Sequence, residues 1–424
     1  MPIIVSQMVP HAGAMLGTWV VGGVLALAGA MAYAELAALR PRAGGEYVYL
    51  YEAFGPMAAF LTGWTSFVAG FSGAIAASSV ALADYVGRFV PAAADSTPLL
   101  TLPLPGLSPT ITPRTIVALT AVAALTVIHA RGLGPGRVVQ NVLAAVKVSA
   151  LVVFVALAFA IGHGTLGHVA DGGHATAAAF ALALVPVMFS YSGWNAATYV
   201  AEEVRDPGRN VPIALAVGTL SVVVIYVVLN LTYLFAMPVT ELAALRGGRL
   251  LDVVAERLFG FVAGGVLAAF TIVGLAASIS AMVLAGPRVY YAMARDGLFL
   301  PAAARVHPRF RTPIVAIVAQ SLWSGVLVLS GTLSQLVSYT GFAVVLFSGF
   351  AVAAVFVLRR RRPNDERPFR TWGYPWAPAV FVVASAGMLL NELWRNGTTA
   401  LAGAGVIAAG VPVYWWMRRR THGM

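Results

Sequence analysis

Cysteine is absent from the 424-residue chain. That removes disulfide frameworks, thiolate metal sites and thiol nucleophiles together. Charge is scarce as well: only 10% of residues are Asp, Glu, Lys or Arg, where a soluble domain carries about 25%. A chain so poor in charge cannot coat a water-facing surface, which excludes a cytosolic enzyme. The sequence also lacks a Ser/His/Asp set, an HExxH pair and a P-loop, so a membrane-embedded enzyme has little support. His163, His168 and His174 share a glycine-rich loop, but without helical i, i+4 spacing they read as solvated loop histidines, so no metal site and no cofactor are expected. What is abundant is apolar: 59% of residues are hydrophobic and the mean hydropathy is +0.84.

Bilayer spans need about 20 apolar residues each, so this length accommodates about twelve. Eleven runs are read, at 12–38, 57–87, 113–130, 134–161, 177–201, 211–236, 259–287, 313–330, 334–358, 374–394 and 398–417. They are continuous where barrel strands would alternate, so the expected class is an all-α polytopic membrane protein. The formal charge of +11 resolves into topology. Alternate connections hold 20 basic residues on one side, including Arg40, Arg42, the Arg359–Arg362 run and Arg418–Arg420. The other side holds 6, among them Arg88, Arg246, Arg249 and Arg257. By the positive-inside rule the first side is cytoplasmic, the C-terminus lies inside, and no nucleic-acid partner is needed. Met1 to Pro10 is apolar but, at about 15 Å as a helix, spans only half the hydrocarbon, so it reads as the outer half of a span whose front half is missing. It has neither the basic n-region nor the cleavage site of a signal peptide.

Polarity enters the membrane most clearly in the run 177–201, whose centre reads Phe189-Ser190-Tyr191-Ser192-Gly193-Trp194-Asn195 with Pro186 just before. Proline and glycine around a polar cluster predict an interrupted helix whose freed backbone groups face a cavity, as a transporter's substrate site does. The plainer alternative is a proline-kinked helix whose hydroxyls bond back to the preceding turn. Lys147 lies inside the 134–161 run. A lysine there costs at least about 2.5 kcal/mol on insertion scales, so it should face the bundle interior as a proton carrier or stand-in for a bound cation. Snorkelling toward the cytoplasmic interface competes evenly on position alone. Glu35 and Asp84, at span ends, are expected at the interfaces rather than buried.

Three stretches resemble the amino acid/polyamine/organocation (APC) permeases. Glu35 to Tyr47, followed by Glu52 to Pro56, is similar to the family's loop between helices 2 and 3. Ser192-Gly193-Trp194-Asn195 continuing through Glu202 to Pro212 resembles its helix 6 break, and Gly286-Pro287-Arg288 through Pro301 and Thr312-Pro313 its connection from helix 8 to helix 9. The resemblance implies the leucine-transporter-like fold of two inverted five-helix repeats plus two C-terminal helices. The eleven runs become helices 2–12: 1–161 a partial first repeat with helix 1 incomplete, 177–358 the second repeat, and 374–417 helices 11 and 12. It further implies that carbonyls of Phe189, Ser190 and Ser192, with Gly193 and Asn195 at the break, hold the substrate's amino group. Trp194 becomes a gate, and Lys147 takes the place of a sodium ion. The family's Gly-Ser/Thr-Gly-Ile-Phe stretch at the helix 1 break, which would bind the carboxylate, is not in the chain.

The expected function is a sodium-independent secondary-active transporter of neutral amino acids in the cell membrane, a proton symporter or an exchanger. Two alternatives stay open. A polyamine or cationic amino acid carrier would need an acid in the cavity, which the sequence does not place near the midplane. A truncated, non-transporting membrane protein is the other.

Overall fold

The computed structural model describes residues 1–102, 109–245, 250–331, 333–395 and 397–422, the side chains of 333–340, 399 and 420–422 excepted. Arg246 and Arg249 lie outside the described residues. The chain begins with the short helix α1 (Pro2–Met8) and the long α2 (Ala12–Leu39), whose first turn is capped by His11 Nδ1 accepting from the Ala14 amide at 3.1 Å. After α3 (Glu46–Phe54), α4 (Pro56–Thr65) runs through a π-turn at Ser66–Gly70 into α5 (Phe71–Val86) as one span. Two two-residue strands, β1 (Leu100–Thr101) and β2 (Thr110–Ile111), pair antiparallel before α6 (Pro113–Ala130) and α7 (Leu133–Ile161). The second half comprises α8 (Ala177–Ser190), α9 (Pro207–Ala236), the short α10 (Val239–Ala244) and α11 (Leu250–Phe259), then α12 (Phe261–Arg295) and α13 (Ile314–Ser330). α14 (Leu333–Arg361), α15 (Trp376–Arg395) and α16 (Gly397–His422) complete the chain.

Among the described residues, nine helical spans are long and apolar enough to cross a membrane, and α8 and α13 are shorter apolar helices. Together they coincide with the eleven apolar runs. Helices remain the sole way such runs can satisfy every backbone group in lipid.

α2 is the hub of the first half, packed on α9 and α8. Without a hydrophobic drive between helices in lipid, close backbone approach matters, and small residues permit it. A Cβ on Gly23 would sit 2.6 Å from Val223 Cγ1 of α9, and one on Gly22 would collide with Val187 of α8. By contrast, a Cβ on Gly218 of α9 meets nothing within 4 Å. Gly23→Val is therefore expected to cost about 1–3 kcal/mol by overpacking, visible as a lower thermal midpoint in detergent, while Gly218→Val melts with the wild type. Equal midpoints for the two variants would contradict the packing argument.

At the arginine-rich end the loops are sewn together by ion pairs: Arg40 with Asp365, Arg42 with Asp296, Arg362 with Glu52, Arg288 with Glu203, Arg295 with Glu202. Asp84 is exposed, its side chain 48% accessible beside Arg114. Glu35 is not. Its side chain is 2% exposed, because Arg359, Arg367 and Thr371, on and after α14, fold over it and supply the charge and hydrogen bonds that permit burial.

Candidate functional site

Pro186 has no amide hydrogen, so the Leu182 carbonyl one turn earlier loses its helical donor, and α8 ends four residues on at Ser190. The chain turns through 191–195, with Gly193 at φ +97°, a conformation side-chain-bearing residues rarely adopt, and resumes as a 3-10 turn over Ala196–Glu203. The helix is thus interrupted where the proline and glycine indicated.

The polar groups of the break have distinct fates. Ser190 Oγ donates to the Pro186 carbonyl at 2.9 Å, the back-bonding of the plainer alternative, while its carbonyl accepts from the Tyr226 hydroxyl at 3.1 Å. The Phe189 carbonyl accepts from the Ser192 amide. Ser192 and Gly193 are exposed. Trp194 packs edge-on against Tyr33, ring centres 4.7 Å apart, and against Phe381. Asn195 is buried and donates to the Tyr199 hydroxyl.

Two cavities flank the break. Phe189 borders one of about 680 Å³ between α1, α8, α14 and α15, with Met8, Gly341 and Met388 on its walls. Ser190 borders another, of about 320 Å³, whose walls include Trp19, Lys147, Tyr226, Asn230 and Ser278. Of the residues expected at the site, the structure therefore brings Lys147 and Ser190 to one cavity, sets Phe189 on its neighbour, and leaves Trp194 and Asn195 in packed surroundings. Lys147 reaches across from α7 toward α12, where a Cβ on Gly274 would lie 3.7 Å from its Cδ. Lys147 is exposed and forms no ion pair or hydrogen bond among the described residues.

Sequence reading missed Trp19 and Asn230, since a lone tryptophan or asparagine in an apolar run carries no signal of direction. Both are 2% exposed, and each leaves a buried polar atom without a partner: Trp19 Nε1, a donor, and Asn230 Oδ1, an acceptor. Unsatisfied atoms of this kind cost about 1–3 kcal/mol each, and both residues lie on the walls of the cavity that holds Lys147 and Ser190.

The family described as amino acid permease matches residues 1–415. The chain belongs to this family. The permease is 28% identical over 411 residues to the serine/threonine exchanger SteT of Bacillus subtilis (strain 168), covering 96% of this chain and 89% of that protein. It is 28% identical over 386 residues to the b(0,+)-type amino acid transporter 1 of Mus musculus, covering 90% and 75%. With the large neutral amino acids transporter small subunit 2 of Mus musculus it shares 27% over 410 residues, 95% and 74%. The membership makes this multi-pass membrane protein an amino acid permease rather than an enzyme, with a helical-bundle fold.

Proposed function

We propose that the permease is a sodium-independent carrier of neutral amino acids, working by alternating access as an exchanger or proton symporter in the cell membrane with its C-terminus in the cytoplasm. The observation that carries this reading is the cavity shared by Lys147, Ser190, Trp19 and Asn230. A zwitterionic amino acid needs donors for its carboxylate and acceptors for its ammonium. Lys147 supplies the first, and the carbonyls of the break supply the second. At about 320 Å³ the cavity falls in the range of small-molecule sites. A fixed lysine in place of a metal cation accounts for independence from sodium, and the names of two similar proteins, a serine/threonine exchanger and a large neutral amino acids transporter subunit, support exchange of neutral amino acids. Residues 1–161 and 177–358 would form the two repeats that rock against one another, with 374–417 outside them. Phe189, Ser190, Ser192, Gly193 and Asn195 would present the break to substrate. Trp194 would gate it by leaving its packing against Tyr33 and Phe381.

The test is uptake of labelled serine into proteoliposomes that contain unlabelled serine, with sodium replaced by potassium on both sides. Uptake is expected to persist at its sodium-containing rate. A strict sodium requirement would overturn the reading, as would accumulation of a polyamine in preference to any neutral amino acid.

A further inference from the structure

At the arginine-rich end each of six acids meets an arginine: Glu35, Glu52, Glu202, Glu203, Asp296 and Asp365. Glu46, in the first turn of α3, meets none among the described residues. Its partners are two phenols, the Tyr33 hydroxyl of α2 donating to Oε2 at 2.6 Å and the Tyr199 hydroxyl of the 3-10 turn donating to Oε1 at 3.0 Å. Tyr33 is bonded in turn to Ser348 of α14, and Tyr199 accepts from Asn195 at the helix break. One carboxyl group therefore ties four elements together, and one of its ties leads directly to the break.

A carboxylate held by two neutral donors does not recover the hydration it loses on burial, so an ionised Glu46 is disfavoured in this packing. Beside it lies a cavity of about 20 Å³, room for one water, lined also by Thr62, Thr65, Ser66 and Phe347. Thr62, 1% exposed, leaves its Oγ1 there without a partner. A single water in this cavity gives an acidic hydrogen on Glu46 an acceptor. The groups that face Glu46 are Tyr33 from α2, Tyr49 from its own helix, Tyr199 from the 3-10 turn, Ser348 behind Tyr33, and the hydroxyls of α4 and the π-turn. None carries a positive charge that would hold the carboxylate ionised. Burial raises the Glu46 carboxyl above the usual carboxylate range, outweighing the two phenol hydrogen bonds that lower it.

We infer that Glu46 is the proton-binding group of the transport cycle: protonated in the closed packing, it releases its proton to cytoplasmic water when the Tyr199 segment swings away. The inference rests on the permease reading above and adds that net uptake is proton-coupled. In chemical terms the O–H bond of the carboxyl breaks, the proton passes to water on the cytoplasmic side, and the carboxylate is then hydrated. Return of a proton from the substrate-loaded side restores the two phenol contacts and closes the cytoplasmic half.

The experiment is the initial rate of labelled serine uptake into empty proteoliposomes, with external pH varied from about 8 to about 5.5 across the range of a raised carboxyl. Wild-type uptake is expected to rise at least about threefold as the pH falls. Glu46→Gln, which keeps the shape and cannot titrate, is expected to show a flat profile. Tyr199→Phe leaves the carboxyl in place and removes one donor from its ionised form, so the midpoint is expected to move to higher pH. A flat wild-type profile, a Glu46→Gln profile that follows the wild type, or an unmoved Tyr199→Phe midpoint would each overturn the inference. If Glu46→Gln is not recovered folded, the Tyr199→Phe midpoint decides. Loss of sodium-free exchange in the wild type would mark a failure of the permease reading itself.

Discussion

Glu35→Ala is expected to destabilise the permease more than any other single substitution considered, by about 3–5 kcal/mol. Arg359 grips this carboxylate through both arms of its fork, Nε to Oε1 at 2.8 Å and a terminal nitrogen to Oε2 at 2.6 Å. The Thr371 amide and hydroxyl each donate to Oε2 at 2.7 Å, and Arg367 Nε lies 3.3 Å from Oε1. Bidentate, charge-assisted contacts are the strong ones. Removing the acid leaves two arginines without their counter-charge and a buried amide without an acceptor. Glu35 also joins α2 to the last turn of α14 through Arg359 and to the segment after it through Thr371, so the loss releases that segment as well as a contact. The check is the thermal midpoint in detergent of Glu35→Ala beside Glu35→Gln. The glutamine retains an acceptor for Thr371 but no charge, and is expected to fall between alanine and wild type. Wild-type melting by both variants would refute the assignment.

Lys147→Ala is expected to do the opposite: leave the fold intact or firmer and lower serine uptake by about tenfold or more, ~1.4 kcal/mol of barrier. The reasoning joins two observations. A lysine within a span carries an insertion cost of at least about 2.5 kcal/mol, and this one has no ion pair or hydrogen bond among the described residues to offset it. Its removal therefore orphans nothing. It does remove the one cation among the described residues on the wall of the cavity that reaches the helix break. Uptake and thermal midpoint measured on the same preparation separate the two effects. Lower uptake together with a lower midpoint would mean that the lysine is structural, and wild-type uptake at every pH would reject its role.

The spans and the break were legible because their signals are local. Continuous apolar runs declare helices, and Pro186 with Gly193 declares an interruption, whatever the rest of the chain does. What escaped reading depends on contacts between distant residues. Glu35 is an interfacial acid by position and becomes a buried one because Arg359 arrives from 324 residues away. Glu46 was visible within a motif, but its lack of an arginine partner among the described residues follows from how α2, α3 and the 3-10 turn meet. Lys147 illustrates the limit from the other side. Its depth in α7 could be read, whereas the rotation of the helix that turns it toward Gly274 could not. Trp194 and Asn195, next to one another in the cluster, face different neighbours because the chain changes direction at Gly193.

The absence of cysteine offers the most direct measurement. In a chain with no native thiol, Ser190→Cys places a single reporter on the wall of the cavity, at the break, and Val90→Cys places one on the exposed turn after α5, outside the spans. The measurement is the rate at which a small polar thiol reagent labels each variant in proteoliposomes, with and without saturating serine. If the interrupted helix and the Lys147 cavity form the substrate site, serine is expected to slow labelling at position 190 and leave position 90 unchanged. Identical labelling of position 190 with and without serine, in a preparation that still exchanges serine, would contradict it.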